Sequence, residues 1–253
     1  MTEHSLGIVQ NAGTKYGGVQ HDAVTGGVLR DDVQTAADAR VYLRKILKDV
    51  TDTAEDVGKQ YHSGSTITAV IITPDGYITQ ATMGDSPLMA FRVDQDGNVT
   101  ASFLLNQLHN PFPTSLNVID EAAGKKSYQD LLNDSEGRFE STYDLNSLAG
   151  RGERLVLVPA SDGVLDAVQN APESLGYKDA RAFVDREIQT AVEGYAPYIE
   201  DAMKQGLSPE ETASRIIQGS YEIAGDVKRD NISAAVLVLD PDDLPEDAVA
   251  IMV

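Results

Sequence analysis

Residues 67–105 read ITAVIITPDGYITQATMGDSPLMAFRVDQDGNVTASFLL, and the fold class follows from them. Ile67 to Thr73 is a β-branched run closed by the turn Pro74-Asp75-Gly76. Tyr77 to Met83, Leu88 to Val93 and Val99 to Leu105 follow as three more strands, the last two joined by DQDG. Connections this short leave no room for the helix that a parallel crossover needs. The four strands are therefore expected to run as an antiparallel meander.

Upstream the period changes. Val33, Ala36, Ala37, Leu43, Ile46, Leu47, Val50, Ala54 and Val57 recur at three- and four-residue steps. That spacing predicts an amphipathic helix of about seven turns over Val33 to Val57, with Asp52-Thr53 as a point of interruption. Further upstream, Gly13 to Gly27 is glycine-rich and compatible with a hairpin around Gly26-Gly27.

Downstream, residues 106–150 are polar and irregular, with a short helix at Tyr128 to Leu132 as their one regular piece. A stretch of that length in a compact domain is usually functional, so it is expected to be a flap or a docking segment. Leu155 to Pro159 reads as a buried strand and Ala180 to Val192 as a helix. Ser208-Pro209-Glu210-Glu211 is a capping box with proline at its first helical position. It opens a helix with Ala213, Ile216, Ile217, Tyr221 and Ala224 on one face. Ile232 to Leu239 is a last buried strand, and the tail PDDLPEDAVAIMV is read as docking on the body. Early strands, flanking helices and a returning strand make the class α+β with antiparallel sheet, in a single domain over residues 1–253.

Composition narrows the functions. Twenty Lys+Arg against 40 Asp+Glu give a formal charge of −20 on 253 residues, which argues against nucleic acid and anionic membranes as partners. No apolar run approaches the roughly 18 residues that span a bilayer. The first residues, MTEHSLGIVQ, lack the basic start and apolar core of a secretory signal, so the expected location is the cytoplasm. The chain has no cysteine, which excludes a thiolate nucleophile and cysteine-ligated zinc. A metal here would be hard and oxygen-ligated. The Ser/His/Asp components exist, but no G-x-S-x-G elbow places them for acyl transfer.

Three acids stand at strand ends: Asp162 in ASDG after the strand LVLVP, Asp230 in RDN before ISAAVLVL, and Asp22 in QHDA. A carboxylate just beyond a strand end is held by rigid backbone while its oxygens face a cleft, as a cation site requires. Each alone is equally a turn carboxylate capping backbone N–H groups.

Four segments carry a further signal in order: GSTITAVII at Gly64 to Ile72, ATMGDSPLMAF at Ala81 to Phe91, LVLVPASDGVLDAV at Leu155 to Val168 and DNISAAVLVL at Asp230 to Leu239. Together they resemble the metal-dependent protein phosphatase family, the type 2C Ser/Thr phosphatases, over residues 5–240. The resemblance implies a four-layer α/β/β/α sandwich of two antiparallel sheets flanked by helices. It implies Mg²⁺ or Mn²⁺ as cofactors and a phosphoprotein as substrate or partner. The reaction would be phosphomonoester hydrolysis through a metal-bound hydroxide. Asp22, Asp162 and Asp230 fall on catalytic, metal-ligating positions, and Asp166 on the acid of an additional metal. The GDS at Gly84 to Ser86 is architectural in the family, its Asp85 fixing a turn.

The chain also departs from the pattern. Gly17 stands where the family has its phosphate-binding arginine, with Lys15 and Arg30 as the cations that could replace it. His21 precedes Asp22, and Leu108 takes the place of an acid before His109. The D-G-x-G-G motif, whose aspartate bridges two metals, is absent. Asp31 or Asp32, following the short run VLR, is the nearby replacement, and both are equally acids favoured by a helix N-terminus. Two function classes fit: a phosphatase with a reduced metal site, or a pseudophosphatase that binds or regulates a partner without catalysis.

Overall fold

A computed structural model describes residues 6–11, 23–29, 33–61, 66–106, 108, 140–165, 177–224 and 231–253. In chain order its elements are β1 (Leu6–Asn11), β2 (Thr25–Leu29), α1 (Ala36–Tyr61), β3 (Ile67–Ile72), β4 (Tyr77–Met83), β5 (Leu88–Val93) and β6 (Val99–Leu104). Then come β7 (Glu140–Asp144), α2 (Leu145–Leu148), β8 (Arg154–Pro159), a 3-10 turn (Asp162–Leu165), α3 (Tyr177–Gly194), α4 (Ala196–Gln205), α5 (Pro209–Ala224), β9 (Ile232–Leu239) and β10 (Ala248–Met252). Two five-stranded sheets form, ordered β1-β9-β8-β5-β6 and β2-β10-β3-β4-β7. Every pairing is antiparallel.

Side-chain alternation builds the layers. In β3, Val70 and Ile72 face the other sheet, while Ile67, Ala69 and Ile71 lie under α1. In β5, Leu88 and Ala90 join the core between the sheets; Met89, Phe91 and Val93 turn toward the helices on the far side. β8 and β9 divide in the same way, with Leu155, Leu157, Ala235 and Leu237 inside and Val156, Val158, Ala234 and Val236 against Ile199, Ala213 and Ile216. Since successive strand residues point to opposite faces, such strands read as unbroken apolar runs when both faces are covered. The result is the expected four-layer α/β/β/α sandwich.

Several local expectations change. The four strands of residues 67–105 are not one meander: β3–β4 belongs to one sheet and β5–β6 to the other. Gly84, at φ +104, turns the chain across between them. A Cβ on Gly84 would meet Thr66 Cβ at 2.5 Å, so the crossing needs glycine for space as well as for angle. Gly26-Gly27 lies inside β2 rather than in a turn; a Cβ at Gly26 would come 2.4 Å from Leu6 Cδ2, so the glycine admits β1. α1 continues through Asp52 and Thr53 without a break. The tail supplies β10, an interior strand between β2 and β3. The segment 106–150 contains β7 and α2 at its end, and α4 is an additional helix. The expected helix at Tyr128 to Leu132 lies outside the described residues.

Two helices begin with reciprocal caps. At α5, Ser208 N donates to Glu211 Oε2 at 2.8 Å and Glu211 N to Ser208 Oγ at 3.2 Å. At α1, Thr35 N donates to Asp38 Oδ2 at 2.9 Å and Asp38 N to Thr35 Oγ1 at 3.3 Å. Hydrogen bonds from Ser208 hold the Glu211 carboxyl below the usual glutamate range. A depressed folded-state pKa gives stability that is present above the unfolded value and is lost as pH falls through the folded one. Glu211→Ala is therefore expected to lower the thermal midpoint at about pH 7, with the gap to wild type closing toward about pH 3. Melting curves of both proteins at the two pH values check it.

Candidate active site

One end of the sandwich collects the loops. Asn11 closes β1 opposite Ile232, which opens β9. Pro159 closes β8 opposite Leu88, which opens β5. In the other sheet Thr25 opens β2 opposite Met252, and Ile67 opens β3 opposite Met83. The four residues from Gly84 to Pro87 join Met83 to Leu88, so these ends of the two sheets lie on the same side.

At this end the ASDG turn is bonded to the start of β9. The isolated bridge Ala160–Ala234 extends the β8–β9 pairing. Ser161 N donates to Ser233 O at 2.8 Å, and Ser233 N donates to Ser161 Oγ at 3.0 Å. Ser161 Oγ also lies 3.4 Å from Asn231 O as a donor. Ser161, Asn231 and Ser233 are all buried, so these bonds are sheltered from water. Gly163 completes the contact: a Cβ there would stand 2.1 Å from Asn231 O, closer than any side chain permits. The two loops touch because this residue has no side chain.

Asp162 sits between Ser161 and Gly163, half-buried, as the first residue of the 3-10 turn. Of the acids expected at the site it is the one among the described residues. Asp22, Asp31, Asp32, Asp166 and Asp230 lie outside them, as do Gly17, His21 and His109. Their bonded or near neighbours are described. Asp230 precedes Asn231 in the junction itself, Asp166 follows Leu165 at the end of the turn, and Asp22 lies three residues before Thr25. Leu108, where the pattern has an acid, is 3% exposed and packs in the core between β5, β8, β9 and the helices. Among the described residues no group of three or more metal-capable side chains occurs.

A second polar cluster lies where β3, β4 and Ser86 meet. Asn106 Nδ2 donates to Thr82 Oγ1 and to Ser86 O, each at 2.9 Å, while Asn106 Oδ1 accepts from Leu88 N at 2.7 Å. Thr68 Oγ1 donates to Ser86 O at 2.6 Å. These bonds hold the crossing from β4 to β5 through the Ser86 carbonyl.

No protein-family model and no curated protein matches the sequence. Solved structures do match in three dimensions. The S. agalactiae serine/threonine phosphatase superimposes with a TM-score of 0.50 at 15% identity, over 92% of this chain and 98% of that one. A mutated bacterial serine phosphatase gives 0.51 at 11% identity, over 95% and 100%. The chain has the type 2C phosphatase fold. A C. elegans sex determining protein also superimposes, with a TM-score of 0.50 at 15% identity over 96% of this chain and 67% of that one.

Sequence reasoning missed the backbone partners of the SDG turn, Asn231 O and Ser233, although both lie within the DNIS segment it had marked. Gly163→Ala is expected to destabilise the fold by more than about 2 kcal/mol, because the obstacle is backbone that cannot rotate away. Urea unfolding of the variant measures this.

Proposed function

We propose that the chain is a metal-dependent phosphoprotein phosphatase, hydrolysing Ser/Thr phosphomonoesters with Mg²⁺ or Mn²⁺. The observation that supports this most is the bonding of the ASDG turn to the start of β9 within a type 2C fold. It puts Asp162 on a rigid turn one residue from the backbone that leads to Asp230. The residues fit a hard cation: the donors are carboxylates, Gly163 leaves the space for the loops to meet, and no thiol competes. Asp162, Asp230 and Asp22 are assigned to hold the ion, and Asp166 to a further one.

A divalent ion at such a site supplies water of lowered pKa and neutralises phosphoryl charge. The chain's own part is to fix the carboxylates through Ser161, Gly163 and the β8–β9 register, so that little reorganisation accompanies binding. Within the segment 106–150, we assign the residues other than Asn106, Leu108, β7 and α2 to a flap or docking surface, in one domain over residues 1–253 acting in the cytoplasm. Among the described residues no helix is long and apolar enough to cross a membrane.

A pseudophosphatase is the second reading, and two observations favour it. Leu108 is core where an acid would bind metal. In addition, only residues 30–32 separate β2 from Val33, which is buried just ahead of α1, too few for a hairpin bearing a D-G-x-G-G motif. Leu29 pairs with Ala248, at the end of its sheet away from Met252. Four residues of β2 put that end about 13 Å from Thr25. The connection holding Asp31 and Asp32 thus starts far from the ASDG end.

Mn²⁺ calorimetry with para-nitrophenyl phosphate turnover separates the readings. Asp162→Asn is expected to weaken Mn²⁺ binding by more than the roughly 10–100-fold cost of losing a supporting residue, with turnover falling to background. The double substitution Asp31→Asn, Asp32→Asn is expected to leave Mn²⁺ stoichiometry unchanged; loss of an ion would assign these residues to the metal site, as the replacement for the missing bridging aspartate. Wild type that binds Mn²⁺ but turns over nothing would establish the pseudophosphatase reading.

A further inference from the structure

Tyr195 is fully buried between α3 and α4, its ring in the core formed by β5, β8, β9 and the helices. Phenylalanine would fill the same volume, and burying a phenol hydroxyl is costly unless it finds partners. It finds two. Tyr195 Oη lies 2.6 Å from Val164 O and 2.9 Å from Ser220 Oγ. A carbonyl has no proton to give, so the phenol donates to Val164.

Val164 belongs to the 3-10 turn that begins at Asp162. Val164 N reaches Ser161 O at 3.3 Å, a long bond, and the phenol gives the Val164 carbonyl support from outside the turn. The support is rigid. Tyr195 N donates to Val192 O at 3.1 Å, and Tyr195 O accepts from Tyr198 N at 3.1 Å and Ile199 N at 3.2 Å, which pins its backbone where the two helices meet. Ser220 Oγ lies 3.0 Å from Ile216 O of α5 as well as 2.9 Å from the phenol, and its single proton serves one of the two. Three helices thus converge behind one carbonyl of the turn, while the Ser161–Ser233 bonds hold it in front.

We propose that Tyr195 is a positioning residue for Asp162: its bond to Val164 O fixes the turn so that the Asp162 carboxylate is presented to a divalent cation. The proposal rests on the phosphatase reading above. Groups that orient metal ligands from behind commonly contribute 10–100-fold in affinity, and Tyr195 does so through backbone rather than through the ligand side chain. Nothing in the sequence marks it, since it is a single residue between two helical periodicities.

The test is Tyr195→Phe, which keeps the ring and the core volume. Three quantities are read without substrate: Mn²⁺ affinity by calorimetry, amide hydrogen exchange across Gly163 to Leu165, and the melting temperature of the metal-free protein. Tyr195→Phe is expected to raise the Mn²⁺ Kd about 10-fold and to speed exchange of the turn amides, with stoichiometry retained. Ser220→Ala, which leaves the phenol–carbonyl bond in place, is expected to leave the Kd close to wild type. A variant whose melting temperature falls while Kd and turn exchange stay unchanged would show a merely structural tyrosine and overturn the proposal alone. Wild type that binds no Mn²⁺ would overturn it together with the reading on which it rests.

Discussion

Both sheets are covered on both faces, and everything else in the molecule follows from that requirement. Each interior strand has to satisfy two cores at once. Met89, Phe91 and Val93 answer to α4 and α5 while Leu88 and Ala90 answer to the opposite sheet. A slip of one residue would exchange these sets, moving Phe91 into the space of an alanine. The third interface shows the same economy of volume: Ala39, Ala69, Ala81 and Ala248 are small, which lets α1 lie close on its sheet. Register is thereby determined twice along every interior strand.

That double determination is what delivers the site. Antiparallel neighbours bring the end of one strand beside the start of the next, so the loop leaving β8 meets the loop entering β9. With Leu157 held opposite Leu237 by two cores, Ser161 has little freedom but to meet Ser233 and Asn231. The geometry around Asp162 is a consequence of packing several residues away, reinforced by a glycine that permits contact and a tyrosine that braces the turn from the helical side.

The interior strands were legible because burial on both faces leaves a dense apolar signature: ITAVII, LMAFRV, RLVLVP and ISAAVLVL could hardly be anything else. Edge and late elements carry weaker signals. ESTYD in β7 is half-exposed and polar, with one neighbouring strand, and AVAIM in β10 is hidden behind DDLPED. The helix APYIEDAMKQ follows α3 with only Tyr195 between them, so the two periodicities blur. Which hairpin joins which sheet cannot be read from turn residues, since GDSP looks like any tight turn although it crosses between layers. At the site, SDG and DN were readable as motifs because their chemistry is local. The bracing by Tyr195 and Ser220 was not, because it joins residues 164, 195 and 220, and a one-dimensional pattern carries no record of such distances.

The order of the strands also bears on how the molecule assembles. β1 pairs with β9 and β2 with β10, so Leu6 waits for Leu237 and Thr25 for Met252, each separated by more than two hundred residues of chain. Contacts of such range form slowly, because loop-closure entropy must be overcome before they contribute. During synthesis β1 and β2 emerge first and have no partner until β9 and β10 leave the ribosome. The β3–β4 and β5–β6 hairpins can form in the meantime, leaving their sheets open-edged where the late strands will insert. Folding of this architecture is thus closed from its C-terminal side, and an unfinished chain exposes the edges that invite association with other chains.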